Sequence, residues 1–409
     1  MGGMTAPSAR PRLRQGGAHR RTSSIVSHEE YLNRRYFAPL DGLRAVSILL
    51  VMTAHTTDPL FHRLHGAVGV TIFFVISGYL ITTLLLREEE RHGHARIKAF
   101  YIRRAFRILP LYYVTLIGYI VLIGILHLQA GSSSLWHSLP WYATYQNDLV
   151  KDDAGIFGQS WSLAIEEKYY LLWPLAFTVP VLMRRRLAVA SGLAALTAFA
   201  VLWPDTAYFA IYTPILLGCV MAIMLDNQRL YQQTTRLATT PVALLLIAAM
   251  IVWEIGFENG SNVHIFFALL TALLFPAVLV GPRWLSSLLS NRVAVYIGTR
   301  SYALYLIHRV AKGVVDKVVT PGSTSVPHQL VHYVLMVALS LAAAEILCRL
   351  IEQPMIRLGR RLASTTRGAR TIPAGVESTD RAPAGDREGH RPAKTGAGDT
   401  GIEPVTSSV

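Results

Sequence analysis

Long apolar runs recur along the whole chain, and they constrain its fold more than any other feature. About 20 consecutive apolar residues suffice for a helix to cross the hydrocarbon core of a bilayer. About ten runs of this kind are present, at 38–57, 67–86, 107–127, 160–182, 187–204, 207–225, 240–257, 263–280, 294–314 and 329–352. We therefore predict an all-α, polytopic membrane protein with about ten transmembrane helices.

The charged residues predict how these helices are oriented. Of the 409 residues, 52% are hydrophobic and 16% are charged, whereas a soluble domain carries about 25% charge. The net charge of +14 comes from the N-terminal segment and from every second connection, while 128–159, 258–262 and 315–328 contain little Arg or Lys. Basic connections lie on the cytoplasmic side of membranes. Both termini are predicted to be cytoplasmic, with the lipid bilayer as a partner and no role in binding nucleic acid.

Composition divides the chain into three parts. Residues 1–35 are predicted to be a basic, disordered cytoplasmic tail, 36–358 a transmembrane domain, and 359–409 a second disordered cytoplasmic tail, because the ends are rich in polar, Gly and Pro residues. The only two cysteines, Cys219 and Cys348, lie inside apolar runs. They form neither a disulfide framework nor a zinc site, and no metal site is predicted.

Titratable side chains inside three of the runs indicate chemistry, because charged groups within a membrane are costly. In the first run, Arg44 is placed near the cytoplasmic face and His55 about 16 Å further along, near the outer end. His308 is placed near the outer end of the ninth run. The outer half of the fourth run carries Ser162, Glu166, Glu167 and Tyr170. A histidine beside a carboxylate can deprotonate a hydroxyl.

Each of these residues also has a purely structural interpretation. A histidine near a helix end is often an interfacial or packing residue, and adjacent glutamates at a helix start complement the helix dipole. Tyr305 is typical of the aromatic residues at membrane interfaces. The catalytic interpretation depends on the groups sharing one depth in the membrane.

Arginines and small residues suggest a second set of contacts. Arg103, Arg104 and Arg107 lie within one helical turn at the cytoplasmic start of the third run, and their guanidinium groups can converge on a phosphate. The alternative is that they only obey the charge rule or contact anionic lipids. Ser77 and Gly78, in the middle of the second run, allow close approach of a ligand or simply of a neighbouring helix.

Six segments, in this order along the chain, resemble the motifs of one family. They are LDGLRAVSILLVMTAH, FFVISGYLIT, RRAFRILPLYY, WSLAIEEKYYLLWP, SYALYLIH and IEQP, and they extend over about residues 36–358. The family is the integral-membrane acyltransferase-3 family, whose O-acyltransferases modify lipopolysaccharide, capsule, peptidoglycan, nodulation oligosaccharides and macrolide antibiotics. Lys168, Tyr169 and Arg309 depart from its motifs.

The resemblance implies an activity and a role for each candidate residue. An acyl group, usually acetyl, would move from cytoplasmic acyl-CoA to a hydroxyl of a sugar, a polysaccharide or a macrolide metabolite, in a multi-pass protein of the bacterial cell membrane without a permanently bound cofactor. Donor binding would fall to Arg44, Ser77, Gly78, Arg103, Arg104 and Arg107. Catalysis would fall to His55, as proton acceptor or transient acyl carrier, with Glu166, Glu167 and Ser162. Acceptor binding would fall to Tyr170, Tyr305 and His308.

The predicted depths add a geometric requirement to this interpretation. Phosphates would be held inside, whereas the histidine and glutamates would lie toward the outside, so the pantetheine arm would thread between helices past Ser77 and Gly78. Two rival interpretations remain. A carrier or flippase for a glycan or acidic solute would transport it without releasing CoA, and a structural protein would lose folding, rather than turnover, when His55 is replaced.

Overall fold

Every regular element that the structure describes is helical. The computed structural model describes residues 25–62, 64, 66–127, 132–149, 157–203, 206–256 and 261–365. Within these ranges the regular elements are α-helices with short 3₁₀ and π segments, and there is no β-strand. The predicted all-α class is confirmed.

The helices follow one another through short connections. The α-helices are α1 (His28–Asn33), α2 (Ala38–Ala54), α3 (Pro59–His62), α4 (Val68–His92), α5 (Ile97–Tyr119), α6 (Ser132–Ala143), α7 (Trp161–Ala176), α8 (Pro180–Arg184), α9 (Arg186–Phe199), α10 (Thr213–Asp226), α11 (Gln228–Thr234), α12 (Thr240–Gly256), α13 (Ser261–Val280), α14 (Arg283–Leu289), α15 (Arg292–Thr299), α16 (Ser301–Val315), α17 (Val326–Leu347) and α18 (Gln353–Thr365). The π segments are Ile120–Ile125 and Cys348–Glu352, and the 3₁₀ segments are Asn147–Leu149, Gly158–Ser160, Ala200–Leu202, Ala207–Tyr212 and Thr235–Leu237.

Each predicted run contains a helix, but not every helix is long enough to cross a membrane by itself. Among the described residues, four helices have the length and apolar composition for it: Val68–His92, Ile97–Ile125, Ala207–Asp226 and Val326–Thr365. Two bent pairs raise the number to six, with bends of 67° and 97°. Helices α2 and α7 have 17 and 16 residues. Several of the described helices are therefore long and apolar enough to span a membrane, and the number ten stays a prediction.

The ninth run is interrupted, where one straight helix was predicted. Helix α15 ends at Thr299 and α16 begins at Ser301. The residue between them, Arg300, forms an ion pair with Glu345 of α17, and its guanidinium lies 3.7 Å from the centre of the Tyr296 ring. These contacts hold the interruption in place beside the cavity described below.

Parts of both predicted tails are ordered. In the N-terminal one, α1 begins at the capping residue Ser27, and buried Tyr31 hydrogen-bonds to Tyr79 of α4 at 2.8 Å. At the other end α18 continues seven residues past 358 and packs along α5, where Gly359 faces Phe106. The prediction of disorder is therefore wrong for 28–33 and 359–365. Its remaining parts, 1–24 and 366–409, lie outside the described residues.

Helices α4 and α10 are in direct backbone contact through two glycines. A Cβ added at Gly78 would lie 1.8 Å from the carbonyl oxygen of Ile215, and one added at Gly218 would lie 2.2 Å from that of Val75. No side chain larger than hydrogen fits between these helices, which is the usual use of small residues in membrane bundles. This contact fixes α4 next to Ser77, whose side chain lines the cavity described in the next section.

Candidate active site

A polar cavity of about 90 Å³ lies between α2, α4, α5, α7 and the interruption between α15 and α16. It is large enough to hold several water molecules or a small substrate group. Its polar lining residues are Arg44, Ser77, Arg104, Arg107, Ser162, Glu166, Glu167, Tyr170, Thr299, Ser301, Tyr302 and Tyr305. We call it the central cavity. It brings together nine of the thirteen residues that were predicted for the site, and these nine come from five separate runs.

The carboxylate of Glu166 is held in place by two hydroxyl groups. Ser77 Oγ donates to Glu166 Oε1 at 2.8 Å, and Tyr170 OH lies 3.1 Å from Glu166 Oε2 and 3.0 Å from Ser77 Oγ. Glu166 and Tyr170 are four residues apart on α7, so they share one face of the helix. Glu167 lines the same cavity without a hydrogen bond to any described residue. Its carboxylate is therefore the one available to a bound molecule.

The arginines around the cavity differ in whether they form ion pairs with acidic side chains of the protein. Arg44 forms an ion pair with Asp41 at 3.0 Å. The guanidinium of Arg104 stacks 4.6 Å above the ring of Tyr170 and forms no ion pair among the described residues. Arg103 pairs with Glu88 at 3.0 Å and does not line the central cavity. Arg104 is therefore the cation best placed to meet an anionic group there.

A second, larger cavity of about 350 Å³ adjoins the first. It lies between the end of α4, the start of α5 and α18, and we call it the cationic cavity. Its charged or titratable lining residues are Arg35, Arg87, Glu88, Arg91, His92, Arg103, Arg104, Arg107 and Arg360. Arg104 and Arg107 line both cavities. The two spaces therefore meet at this pair of arginines.

His55 and His308 form a pair on the other side of the central cavity. Their ring centres are 4.7 Å apart at an interplanar angle of 70°. His55 Nδ1 lies 2.8 Å from the carbonyl oxygen of Val51, and His308 Nδ1 lies 2.8 Å from that of Tyr305. A carbonyl oxygen only accepts hydrogen bonds, so each Nδ1 bears a proton and each Nε2 is the nitrogen that remains to accept one. His308 Nε2 is buried and has no hydrogen-bond partner among the described residues.

Tyr305 connects the histidine pair to the central cavity. Its hydroxyl donates to the carbonyl oxygen of Gln159 at 2.5 Å and lies 2.6 Å from Ser162 Oγ, which therefore donates to it. The ring centre of Tyr305 is 5.9 Å from that of His308. Both Tyr305 and Ser162 line the central cavity, so Tyr305 lines the cavity and also neighbours His308.

The grouping of these residues differs from the predicted one in two respects. Glu166 and Glu167 were placed at the level of His55, but they share a cavity with Arg44, Arg104 and Arg107, and His55 is not among the residues that line it. The predicted separation of arginines from glutamates is therefore wrong. Helical position gives only depth along an axis, and the interruption at Arg300 and the uneven helix lengths shift the levels.

Gly78 and the arginines of the cationic cavity account for the other differences. Gly78 packs against α10 and does not line either cavity, which corrects its predicted contact with the donor. Its neighbour Ser77 does line the central cavity. Sequence reasoning also missed Arg35, Arg91 and Arg360. The sequence does show basic residues at one end of several runs. We attributed them to the preference of basic connections for the cytoplasmic side and did not consider them as a binding site.

Two of the three departures from the family motifs, Lys168 and Tyr169, have structural explanations. Lys168, beside the two glutamates, points away and forms an ion pair with buried Asp148 at 2.5 Å. Tyr169 contacts Cys219 of α10 through its hydroxyl at 3.2 Å. Neither residue lines the central cavity, so neither alters its lining.

Comparison with known proteins identifies the class to which this arrangement belongs. The acyltransferase-3 family, described as an acyltransferase domain, matches residues 37–348. The chain therefore belongs to the acyltransferase-3 family. No solved structure matches it significantly.

Three relatives illustrate the similarity. A Bacillus subtilis protein that is provisionally named a peptidoglycan O-acetyltransferase, YrhL, is 30% identical over 80% of this chain and 56% of its own length. The peptidoglycan O-acetyltransferase OatA of Listeria monocytogenes is 27% identical over 80% of this chain and 57% of its own length. A Staphylococcus aureus protein with the provisional name O-acetyltransferase is 27% identical over 81% of this chain and 59% of its own length. The chain thus spans less than two thirds of each of these relatives.

Proposed function

We propose that this protein is a membrane O-acetyltransferase that moves an acetyl group from cytoplasmic acetyl-CoA to a hydroxyl of a cell-envelope glycan. The observation that supports it best is the junction of the two cavities at Arg104 and Arg107. Acetyl-CoA is an anionic nucleotide joined to a thin thioester arm, and it fits a wide cationic space that leads into a small polar one.

Each half of the donor has suitable partners. Seven arginines line the cationic cavity against one glutamate, and guanidinium groups bind phosphates in a bidentate manner. The thioester arm then passes Arg104 and Arg107 to reach Ser77, Glu166 and Tyr170. Arg103 contributes from the cationic cavity, whereas Arg44 borders the central one.

The acceptor side is built around the histidine pair. The neutral Nε2 of His55 takes the proton from the acceptor hydroxyl, whose oxygen attacks the thioester carbonyl. The carbon–oxygen bond of the ester forms, the carbon–sulfur bond breaks, and the proton ends on the CoA thiol. His308, which is in contact with His55, and the cavity-lining Tyr305 and Ser162 can pass that proton across. The carboxylate of Glu167 accepts a hydrogen bond from the acceptor.

The identity of the acceptor is proposed from the relatives. Two of them are named for peptidoglycan, which favours a polysaccharide over a macrolide. We further propose that ten helices cross the cell membrane and that both termini are cytoplasmic, because the basic residues of the cationic cavity then face the side where CoA is found. The carrier interpretation is less favoured, because the family match is to acyltransferases.

Turnover in proteoliposomes tests this function. Purified wild-type protein should release CoA from acetyl-CoA, faster when a peptidoglycan fragment is added, and the fragment should gain the mass of one acetyl group. His55→Ala should abolish the release while eluting as a folded species in gel filtration. Absence of CoA release from wild-type protein with acetyl, longer acyl donors and glycan extracts would overturn the proposal. Glycan uptake without CoA release would instead establish a carrier.

A donor analogue tests the assignment of the cationic cavity. Acetyl-dephospho-CoA lacks one phosphate, so its KM should exceed that of acetyl-CoA by about tenfold, the equivalent of roughly 1.4 kcal/mol. The kcat should change little, because the thioester is the same. Equal KM values for the two donors would show that the arginines do not bind the phosphate that acetyl-dephospho-CoA lacks.

A further inference from the structure

A buried ionic chain connects the ends of the two helices that carry His55 and His308. The imidazole of His332, on α17, is fully buried. Its Nε2 is 2.8 Å from Asp316 Oδ1, and its Nδ1 is 2.7 Å from Asp58 Oδ2. The second of these contacts is an ion pair whose atoms are not aligned for a good hydrogen bond. Lys312 Nζ donates to Asp316 Oδ2 at 2.5 Å.

The imidazole of His332 lies between two carboxylates. One ring nitrogen approaches Asp316 and the other approaches Asp58, and Lys312 contacts the second oxygen of Asp316. Basic and acidic side chains therefore alternate along the ionic chain. Asp58 is fully buried, and a buried carboxylate without such partners is strongly unfavourable.

The two ends of the ionic chain lie close in sequence to the histidine pair. His55 is the C-cap residue of α2, and Asp58 follows it by three residues. Asp316 is the C-cap residue of α16 and follows His308 by eight residues. His332 therefore joins the end of α2 to the end of α16. Because both imidazoles are hydrogen-bonded to the backbone of their own helix, their separation depends on where these two helix ends lie.

Neighbouring contacts tie the same segments together. The backbone N–H of Gly322 donates to Asp58 Oδ1 at 3.0 Å, and that of Leu60 donates to Gln329 Oε1 at 2.8 Å. Phe61 stacks on Tyr333 with ring centres 4.3 Å apart. Each of these contacts involves at most one charged side chain, whereas the ionic chain joins the segment after His55 to the end of α16 through alternating basic and acidic side chains.

We propose that Asp58 and Asp316, joined through His332, are positioning residues that set the distance between His55 and His308. They do not touch the substrates. The inference rests on the proposed function, because it assigns the histidine pair to acyl transfer. Loss of either carboxylate charge would free one helix end, and the bases would no longer meet the acceptor hydroxyl in a reactive geometry.

A distance measurement tests the positional part without relying on activity. Spin labels would be placed at Thr57, which is exposed, and at Val318, which is 81% exposed, in protein whose two buried cysteines have been replaced by alanine. Double electron–electron resonance should give a narrow distance distribution for the unmodified network and a broad one for Asp58→Asn and Asp316→Asn. Asp148→Asn is the matched control, since it loses a buried ion pair far along the chain from either helix end.

Kinetics test the consequence for the reaction. In both Asp58→Asn and Asp316→Asn, kcat for CoA release should fall by about 100-fold, the effect of misplacing a reacting group by about 1 Å, while the KM for acetyl-CoA stays unchanged. If Asp58→Asn does not fold, Asp316→Asn decides, because the side chain of Asp316 is 25% exposed. Wild-type distances and kcat in a folded variant would overturn the inference. Failure of wild-type protein to release CoA would instead refute the proposed function. The distance measurement would then decide by itself whether the ionic chain positions the two histidines.

Discussion

Arg104 is the residue on which the two halves of the site depend. It lines both cavities, it stacks on Tyr170, and Tyr170 in turn contacts the carboxylate of Glu166. A planar guanidinium is required for this stacking and for bidentate contact with phosphate, and an ammonium provides neither.

Arg104→Lys should therefore weaken donor binding although it keeps the charge. We expect the KM for acetyl-CoA to rise about tenfold, which corresponds to the loss of roughly 1.4 kcal/mol in stacking and bidentate contact. Arg186→Lys is the control, because Arg186 pairs with Glu89 and Asp226 and lines neither of these two cavities. Steady-state CoA release measures both. Equal effects in the two variants would contradict a special role for Arg104.

Tyr305→Phe tests the link between the cavity and the histidines. The ring remains, but Ser162 Oγ and the carbonyl oxygen of Gln159 lose their shared partner. We expect kcat to fall by tenfold or more, with little change in donor KM. This is less than the roughly 10²-fold loss expected when an acid–base group itself is removed, because Tyr305 only passes the proton on. Tyr302→Phe is the control, since it removes only a hydroxyl that donates to the carbonyl oxygen of Ile108. Similar kcat values for the two variants would remove Tyr305 from the proton path.

At the scale of elements, helix contacts decide where the chemical groups meet. The α4–α10 contact at Gly78 and Gly218 leaves no space for a methyl group. It holds Ser77 on the face toward Glu166. The contact between α16 and α7 through Tyr305 and Ser162 does the same for the other wall of the central cavity.

Gly78→Ala should push α4 and α10 apart and destabilise the protein. Overpacking of this kind costs about 1–3 kcal/mol, which should lower the temperature of thermal unfolding in detergent. Gly118→Ala, in α5, is the control, because a Cβ there meets no atom within 4 Å and alanine favours helix. An unfolding temperature for Gly78→Ala at or above that of Gly118→Ala would show that the two helices adjust without cost.

The positions of the helices were predictable from the sequence, whereas their mutual levels were not. Runs such as 67–86 and 329–352 form helices as predicted, because the length of an apolar run can be determined from the local sequence alone. The break at Arg300 and the union of Glu166 with Arg104 depend on contacts between distant segments. The residues of the chemistry were found because they are polar within apolar runs. Gly78 was misassigned because a small residue looks the same beside a helix as beside a ligand.

At the scale of the whole molecule, the sites form one series. The cationic and central cavities share Arg104 and Arg107, Tyr305 of the central cavity lies beside His308, and the ionic chain begins three residues after His55. In the proposed topology the cationic cavity faces the cytoplasm and the ionic chain faces outward. The series then runs across the membrane from donor to acceptor.

Labelling from one side of the membrane tests that orientation. His94 follows α4 near the cationic cavity, Thr324 precedes α17 near the ionic chain, and both are exposed. A membrane-impermeant maleimide added to intact cells should label Thr324→Cys and should label His94→Cys only after lysis. The two native cysteines are buried and serve as an internal background. The opposite pattern would reverse the orientation, and labelling of both from outside would contradict an odd number of crossings between them.

The arginine pair between the two cavities has a consequence for the energy supply of the cell. A membrane that stores a proton gradient cannot tolerate a continuous watery path, yet a donor and an acceptor that approach from opposite sides need spaces open to each side. Arg104 and Arg107 stand where those spaces meet. Positive charges at a constriction exclude protons and metal cations, so the side chains proposed to admit an anion would also keep the membrane electrically tight.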